Sequence, residues 1–186
     1  MNKENIKSTN NLSKIIFITG GAKSGKSEFA ESLGKKSDKL TYIALSEERP
    51  KDLNWQKKIS IHRKRRPNYW RIIETTNLLN ILNKETGPIL IDSVGGFIME
   101  NINLNDSEWH EKIDLLLDQL KIRKNLTLIV GEQVGWGLVS EYEIGNIYIE
   151  RIGVLQKEIN KISQENWLTL NGRAIRLDNI SCDFPL

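Results

Sequence analysis

Residues 20 to 27 read GGAKSGKS, which satisfies G-x-x-x-x-G-K-[ST] with Gly20, Gly25, Lys26 and Ser27 at the fixed positions of a phosphate-binding loop. The flanks constrain the fold as strongly as the motif. The apolar run IIFIT (15 to 19) directly precedes it, and SEFAESLGKK, with the composition of a helix, directly follows. Strand, loop and helix therefore stand in the order that such a loop requires. Glycine lets the backbone wrap tightly, so that N–H groups along Gly20, Gly21, Ala22, Lys23, Ser24 and Gly25 face phosphate oxygens together with the helix N-terminus. A side chain at Gly25 is expected to obstruct that approach. Lys26 supplies a mobile cation for the β and γ phosphates and is the first catalytic candidate, while the Ser27 hydroxyl is short enough to hold Mg²⁺ at the helix start. The competing reading is an ordinary glycine-rich turn with an exposed lysine.

The rest of the chain supplies the surroundings of such a loop. Apolar runs of strand length recur at LTYIA (40 to 44), PILID (88 to 92) and LTLIV (126 to 130), with a weaker WLTL (167 to 170), and continuous runs of this kind suit strands buried on both faces of a parallel sheet. Helical signals lie between them, over 27–35, 52–65, 76–82, 106–123 and 144–163. The alternation predicts βαβ units, hence an α/β fold with a mostly parallel sheet flanked by helices. In the fourth helical stretch Ile113, Leu116, Leu117 and Leu120 repeat at steps of three and four, with Asp106 or Ser107 placed to cap it. Residues 1–13 have almost nothing to bury and read as a flexible tail, and no linker or repeat divides residues 14–186, which read as one domain. A phosphate loop works with a second acid at the end of a neighbouring buried strand. Asp92, which closes PILID, fits that role as a support for Mg²⁺; its alternative is to cap the helix that follows.

Charge and cysteine use narrow the classes further. Twenty-seven Lys and Arg against 24 Asp and Glu leave a net charge of +3, too small a surplus to imply a nucleic-acid partner without a local cluster. The lone cysteine, Cys182, fits a reducing compartment, and no stretch approaches the roughly 18 apolar residues of a membrane span. A cytoplasmic location is the expectation.

One local cluster does exist. In KKISIHRKRRPNYW (57 to 70) six cations surround His62. Three readings stay open on the residues alone: a solvated helix face with an incidental histidine; a nucleic-acid surface in which Tyr69, Trp70 and Trp55 stack on bases; or a nucleophile. A neutral imidazole can form a covalent intermediate, and the like charges of Lys58, Arg63, Arg65 and Arg66 disfavour the imidazolium while attracting a triphosphate.

Taken in order, GGAKSGKS, YIALS (42 to 46), HRKRRPNYWRIIE (62 to 74), LIDS (90 to 93) and VGEQVGWGLV (130 to 139) resemble the bifunctional adenosylcobinamide kinase and adenosylcobinamide-phosphate guanylyltransferase family of cobalamin biosynthesis. The resemblance runs from about Lys14 to Leu177. It implies a single-domain P-loop NTPase fold of the RecA-like kind, often trimeric. It also implies two successive steps: phosphorylation of the aminopropanol hydroxyl of adenosylcobinamide by ATP or GTP, then transfer of GMP from GTP through a guanylyl-histidine to give adenosylcobinamide-GDP. The partners so implied are ATP, GTP, adenosylcobinamide and its phosphate, with Mg²⁺ accompanying the nucleotide and no nucleic acid. On this resemblance His62 matches the guanylylated histidine, and Leu45, Ser46 and Glu47 fall near the nucleotide-contacting stretch after the second strand. Arg63, Lys64, Arg65 and Arg66 would lie along the phosphates, and Glu74 and Asp92 match acidic positions at the nucleotide site.

The chain also departs from the family pattern. Gln133 stands where Glu is usual and Ser140 where Pro is common, while Asn146 and Ile149 replace two arginines and Glu150 an aspartate. These changes point to a rival enzyme reading, a P-loop kinase that has kept only the first step or moved to another hydroxyl. Two further rivals are a nucleotide-dependent nucleic-acid-binding module and a non-catalytic nucleotide-binding subunit of a corrinoid enzyme. His110 reads as a surface or partly buried histidine. One Cys and two His cannot build a common structural zinc site.

Overall fold

Continuous apolar runs of five or six residues can be buried on both faces only in the middle of a sheet, and that is where the computed structural model places them. It describes residues 14–46, 65–137 and 139–182. In chain order the elements are β1 (Ile15–Gly20), α1 (Lys26–Gly34), β2 (Thr41–Leu45), β3 (Arg71–Thr75), α2 (Leu78–Lys84), β4 (Ile89–Asp92), α3 (Gly95–Glu100), α4 (Asp106–Lys121), β5 (Thr127–Glu132), α5 (Glu143–Ile162), β6 (Glu165–Leu170), β7 (Arg173–Arg176) and a 3-10 turn, Leu177–Asn179. The seven strands form one sheet in the order β3-β2-β4-β5-β1-β6-β7. Every neighbouring pair is parallel except β6 with β7.

Side chains alternate across this sheet and divide the core into two layers. Ile15, Phe17, Ile43, Ile89, Ile91 and Ile129 join the layer built with the apolar faces of α2, α3, α4 and α5. Ile16, Ile18, Tyr42, Leu90, Leu128 and Val130 join the other, with Ala30 of α1 and Trp70. Helix α4 buries Ile113, Leu116, Leu117 and Leu120 as the periodicity requires, and adds Trp109 one turn earlier. Each such side chain contributes about 1.5–3 kcal/mol on leaving water. The three-layer α/β architecture is that expected of a P-loop NTPase, with β5 standing between the loop-bearing strand β1 and the acid-bearing strand β4.

Several boundaries differ from the sequence reading. The cap of α4 is Asn105, not Asp106 or Ser107: its side chain accepts from the Glu108 N–H at 3.0 Å and Glu108 returns a bond to the Asn105 N–H at 2.9 Å, a capping box. The helix expected over 76–82 is Leu78–Lys84, capped by Asn77. Strands β3 and β7 and the short helix α3 were not expected. RIIET and RAIR each carry only two central apolar residues between polar ends, because both strands lie toward the edges of the sheet and bury little. The tail 1–13 and most of the helix expected over 52–65, with Glu47, His62, Arg63 and Lys64, lie outside the described residues. His110 is exposed, its Nδ1 2.7 Å from the Asp106 carbonyl oxygen.

Candidate active site

In a parallel sheet all strands end at one edge, and ligands bind in the crevice beyond it. Here that edge gathers Gly20 at the end of β1, Asp92 at the end of β4 and Glu132 at the end of β5, with Glu132 in register with Gly20.

The phosphate loop leaves β1 and enters α1 as its sequence demands. Gly25 occupies the N-cap position with φ of 97°, in the left-handed region. This conformation favours glycine at residue 25, while a Cβ there would meet its nearest protein neighbour, the Gly172 Cα, at an ordinary 3.4 Å. Gly20 is the crowded position. A Cβ on it would lie 2.4 Å from Thr169 Oγ1 and 2.5 Å from Ser24 Oγ. Those two hydroxyls hydrogen-bond to each other at 2.8 Å, and the Gly172 N–H donates to the Ser24 carbonyl at 3.0 Å, tying the loop to the β6–β7 hairpin. The first intrahelical bond of α1 runs from the Phe29 N–H to the Gly25 carbonyl. The N–H groups of Lys26, Ser27 and Glu28 thus precede any intrahelical partner and are the donors that such a helix start offers to an anion. Gly21, Ala22 and Lys23 complete the rim, and Lys26 curls over it, its Nζ donating to the Gly21 carbonyl at 3.1 Å.

Asp92 accepts a 2.5 Å hydrogen bond from the Tyr42 hydroxyl. Burial and the adjacent carboxylate keep that phenol protonated well above its ordinary range. The Arg66 guanidinium stacks on the Tyr42 ring at 3.5 Å and bonds through Nε to Glu31 Oε1 at 3.3 Å. Arg65 binds Glu31 at 2.5 and 3.0 Å and also pairs with Glu28. Arg65 and Arg66, expected along the phosphates, are therefore held by carboxylates on the helix that follows the loop. His62 stands three residues before Arg65 in sequence. Glu31 is 1% exposed and Arg66 8%. Replacing Glu31 by Ala strands the buried Arg66 charge, and the expected loss is about 3–5 kcal/mol of stability. A chain of this size loses roughly 2–4 °C of Tm per kcal/mol, which puts the midpoint on the order of 10 °C lower in a thermal melt. An unchanged midpoint would contradict the network.

A cleft of about 920 Å³ opens beside these groups, lined among others by Leu45, Ser46, Thr76, Met99, Glu132 and Tyr148. Its size suits a large organic ligand. Glu132, which the sequence reading left unassigned, stands in its wall. Burial pushes its carboxyl above the usual range, Asp92 adding to the rise while the Ser93 hydroxyl and Lys26 oppose it. The Ser93 hydroxyl donates to Glu132 Oε1, and Oε2 is buried without a hydrogen-bond partner. The signal that singles out Asp92, an acid closing a buried apolar run, also applies to LTLIVGE and would have found it. Glu74 sits half-buried on β3, in register with Ala44, and is not among the residues lining the cleft.

Two of the departures from the family pattern, Ser140 and Asn146, are partners in the structure. Asn146 accepts from the Ser140 N–H at 3.1 Å and donates to the Ser140 carbonyl at 3.0 Å, while the Ser140 hydroxyl accepts from the Tyr142 N–H at 3.1 Å. Gln133 donates to Thr19 Oγ1 at 3.0 Å.

A family model described as cobinamide kinase / cobinamide phosphate guanyltransferase matches residues 16–177. Among similar proteins, the bifunctional adenosylcobalamin biosynthesis protein CobU of Escherichia coli is 25% identical over 181 residues, covering 88% of this chain and 99% of that protein. The corresponding protein CobP of Pseudomonas aeruginosa is 28% identical over 169 residues, covering 87% and 95%. A solved structure from Pyrococcus horikoshii OT3 superposes with a TM-score of 0.53 at 8% identity over 93% of this chain and 96% of that one, a likeness of fold alone.

Proposed function

The chain belongs to the cobinamide kinase / cobinamide phosphate guanyltransferase family, and on that premise we propose that it performs both steps of the family at the carboxyl edge of its sheet. It phosphorylates adenosylcobinamide with ATP or GTP and then transfers GMP from GTP to the product. The observation that carries this reading is the complete phosphate loop starting at Gly20, in register with the Glu132 that lines the large cleft, in a chain that matches the family from residue 16 to 177. Lys26 and the loop N–H groups neutralise charge on the transferring phosphoryl group. Tyr42 holds the Asp92 carboxylate in one orientation. The Ser27 hydroxyl and Asp92 offer hard oxygen donors of the kind Mg²⁺ prefers, and the ion would neutralise phosphate charge there.

For the second step His62 is the nucleophile. Its imidazole nitrogen bonds to the α phosphorus of GTP as pyrophosphate leaves, and the GMP then passes to the phosphate of adenosylcobinamide phosphate. Arg63, Lys64, Arg65 and Arg66 supply the positive charge of that segment, and Leu45, Ser46, Glu47 and Glu74 belong to the nucleotide surroundings. Arg65 and Arg66, the described residues of that run, are anchored on Glu31 of the helix that follows the phosphate loop. We place the activity in residues 14–186, in the cytoplasm, in a homotrimer without a nucleic-acid partner. Among the described residues no helix is long and apolar enough to cross a membrane.

Incubation of purified protein with adenosylcobinamide, Mg²⁺ and GTP, followed by mass analysis, tests the reading. The expected products are adenosylcobinamide phosphate first and adenosylcobinamide-GDP later. Accumulation of the phosphate alone would assign a kinase only.

A further inference from the structure

A phosphoryl acceptor must lose its hydroxyl proton, and the acceptor of the described site is a group lodged in the cleft beside the phosphate loop. Among the described residues lining that cleft, few can take a proton. The Tyr148 phenol stays protonated far above its ordinary range because of burial and of Glu132 itself. Ser46, Thr76 and Ser93 carry neutral hydroxyls. Glu100 is exposed at the surface. Asp92 is engaged by Tyr42. Gln133, the next residue on the chain, is an amide turned toward Thr19 and Gln156.

Glu132 differs from all of these. It stands at the end of β5, between the strand that feeds the phosphate loop and the strand that carries Asp92, and in register with Gly20. The Ser93 hydroxyl fixes Oε1. Gly95 makes room for the Tyr148 hydroxyl and for the carboxylate, since a Cβ there would lie 2.2 Å from that hydroxyl, 2.9 Å from Oε1 and 3.0 Å from Oε2. Oε2 is left buried and without a partner, and an unmet buried acceptor on a cleft wall is a place for a donor from a ligand.

We propose that Glu132 is the general base of the phosphoryl-transfer step, its Oε2 accepting the proton of the substrate hydroxyl. The hydroxyl oxygen bonds to the γ phosphorus while the bond from that phosphorus to the bridging β oxygen breaks. The nucleoside diphosphate departs with that electron pair, and the proton on Oε2 passes to water once the products leave. The raised proton affinity that burial gives Glu132 favours this transfer. The assignment rests on the kinase reading given above. It divides the two chemistries between two residues, because the guanylyl step needs no hydroxyl deprotonation.

The test compares wild-type protein with Glu132→Gln and Glu132→Asp on adenosylcobinamide, with covalent labelling by GTP measured in the same preparations as a check on folding. Glu132→Gln is expected to lower the kcat of phosphorylation by about 10²–10⁴-fold, leaving the nucleotide KM and covalent labelling near wild type. Glu132→Asp, whose carboxylate is retracted by one methylene, should fall between the two. Wild-type kcat in Glu132→Gln would overturn the proposal. So would a rate restored by raising Mg²⁺, which would make Glu132 a metal ligand, or equal loss of phosphorylation and labelling in both variants, which would make it structural. A wild-type protein that labels with GTP yet phosphorylates no cobinamide would overturn the kinase reading itself, and the proposal with it.

Discussion

Lys26→Ala folds normally and phosphorylates adenosylcobinamide about 10²–10³-fold more slowly than the wild type. The reason is local. Lys26 is half-buried, and its ammonium bonds to the Gly21 carbonyl within its own loop, so removing it leaves neither a hole in the core nor a buried charge without a partner. What disappears is a cation directed at charge that grows on the phosphoryl oxygens during transfer. Losing one such preorganised group costs about 2.7–4 kcal/mol of transition-state stabilisation. Steady-state rates beside a thermal melt decide the matter. An unchanged melt with a rate loss below about tenfold, roughly 1.4 kcal/mol, would show that the backbone N–H groups alone carry the phosphates.

His62→Ala is the second large effect, and it separates the steps. No GMP becomes attached to the variant and no adenosylcobinamide-GDP forms, because no nucleophile remains to displace pyrophosphate. Phosphorylation continues, since Lys26 opens α1 and Asp92 and Glu132 close β4 and β5, so that none of them belongs to the basic segment. Equal loss of both activities would contradict this division of labour.

The two chemistries were not equally legible in the sequence. The phosphate loop could be read residue by residue, because backbone curvature, a cation and a metal-binding hydroxyl each demand a residue type at a fixed spacing. The central strands could be read too, since burial on both faces leaves an unbroken apolar run. Edge strands such as RIIET and RAIR bury only part of their surface and leave no comparable trace. Asn105 was overlooked as a cap because Asp106 and Ser107 beside it are equally good capping residues, and only the reciprocal bond with Glu108 distinguishes it.

Contacts between distant segments were the least legible. Glu31 reads as one more acid on an amphipathic helix until Arg65 and Arg66 are seen to close on it from 34 and 35 residues away. The pairing of Ser140 with Asn146 is local, six residues apart, and was hidden for another reason: taken singly each looks like a loss, whereas together they satisfy one another. Glu132 was within reach of the sequence by the rule that found Asp92, although only the sheet order reveals that it falls between the loop and the second acid.

The central claim is that one chain joins a phosphate-loop kinase to a covalent guanylyl carrier. Incubation with Mg²⁺ and α-labelled GTP, followed by denaturing separation, tests it most directly. The account predicts label that survives denaturation, is stable to base and labile to acid as a phosphoramidate should be, maps to His62, and is absent from His62→Ala. Nucleotide that binds but never becomes covalently attached, or label that persists in His62→Ala, would contradict it.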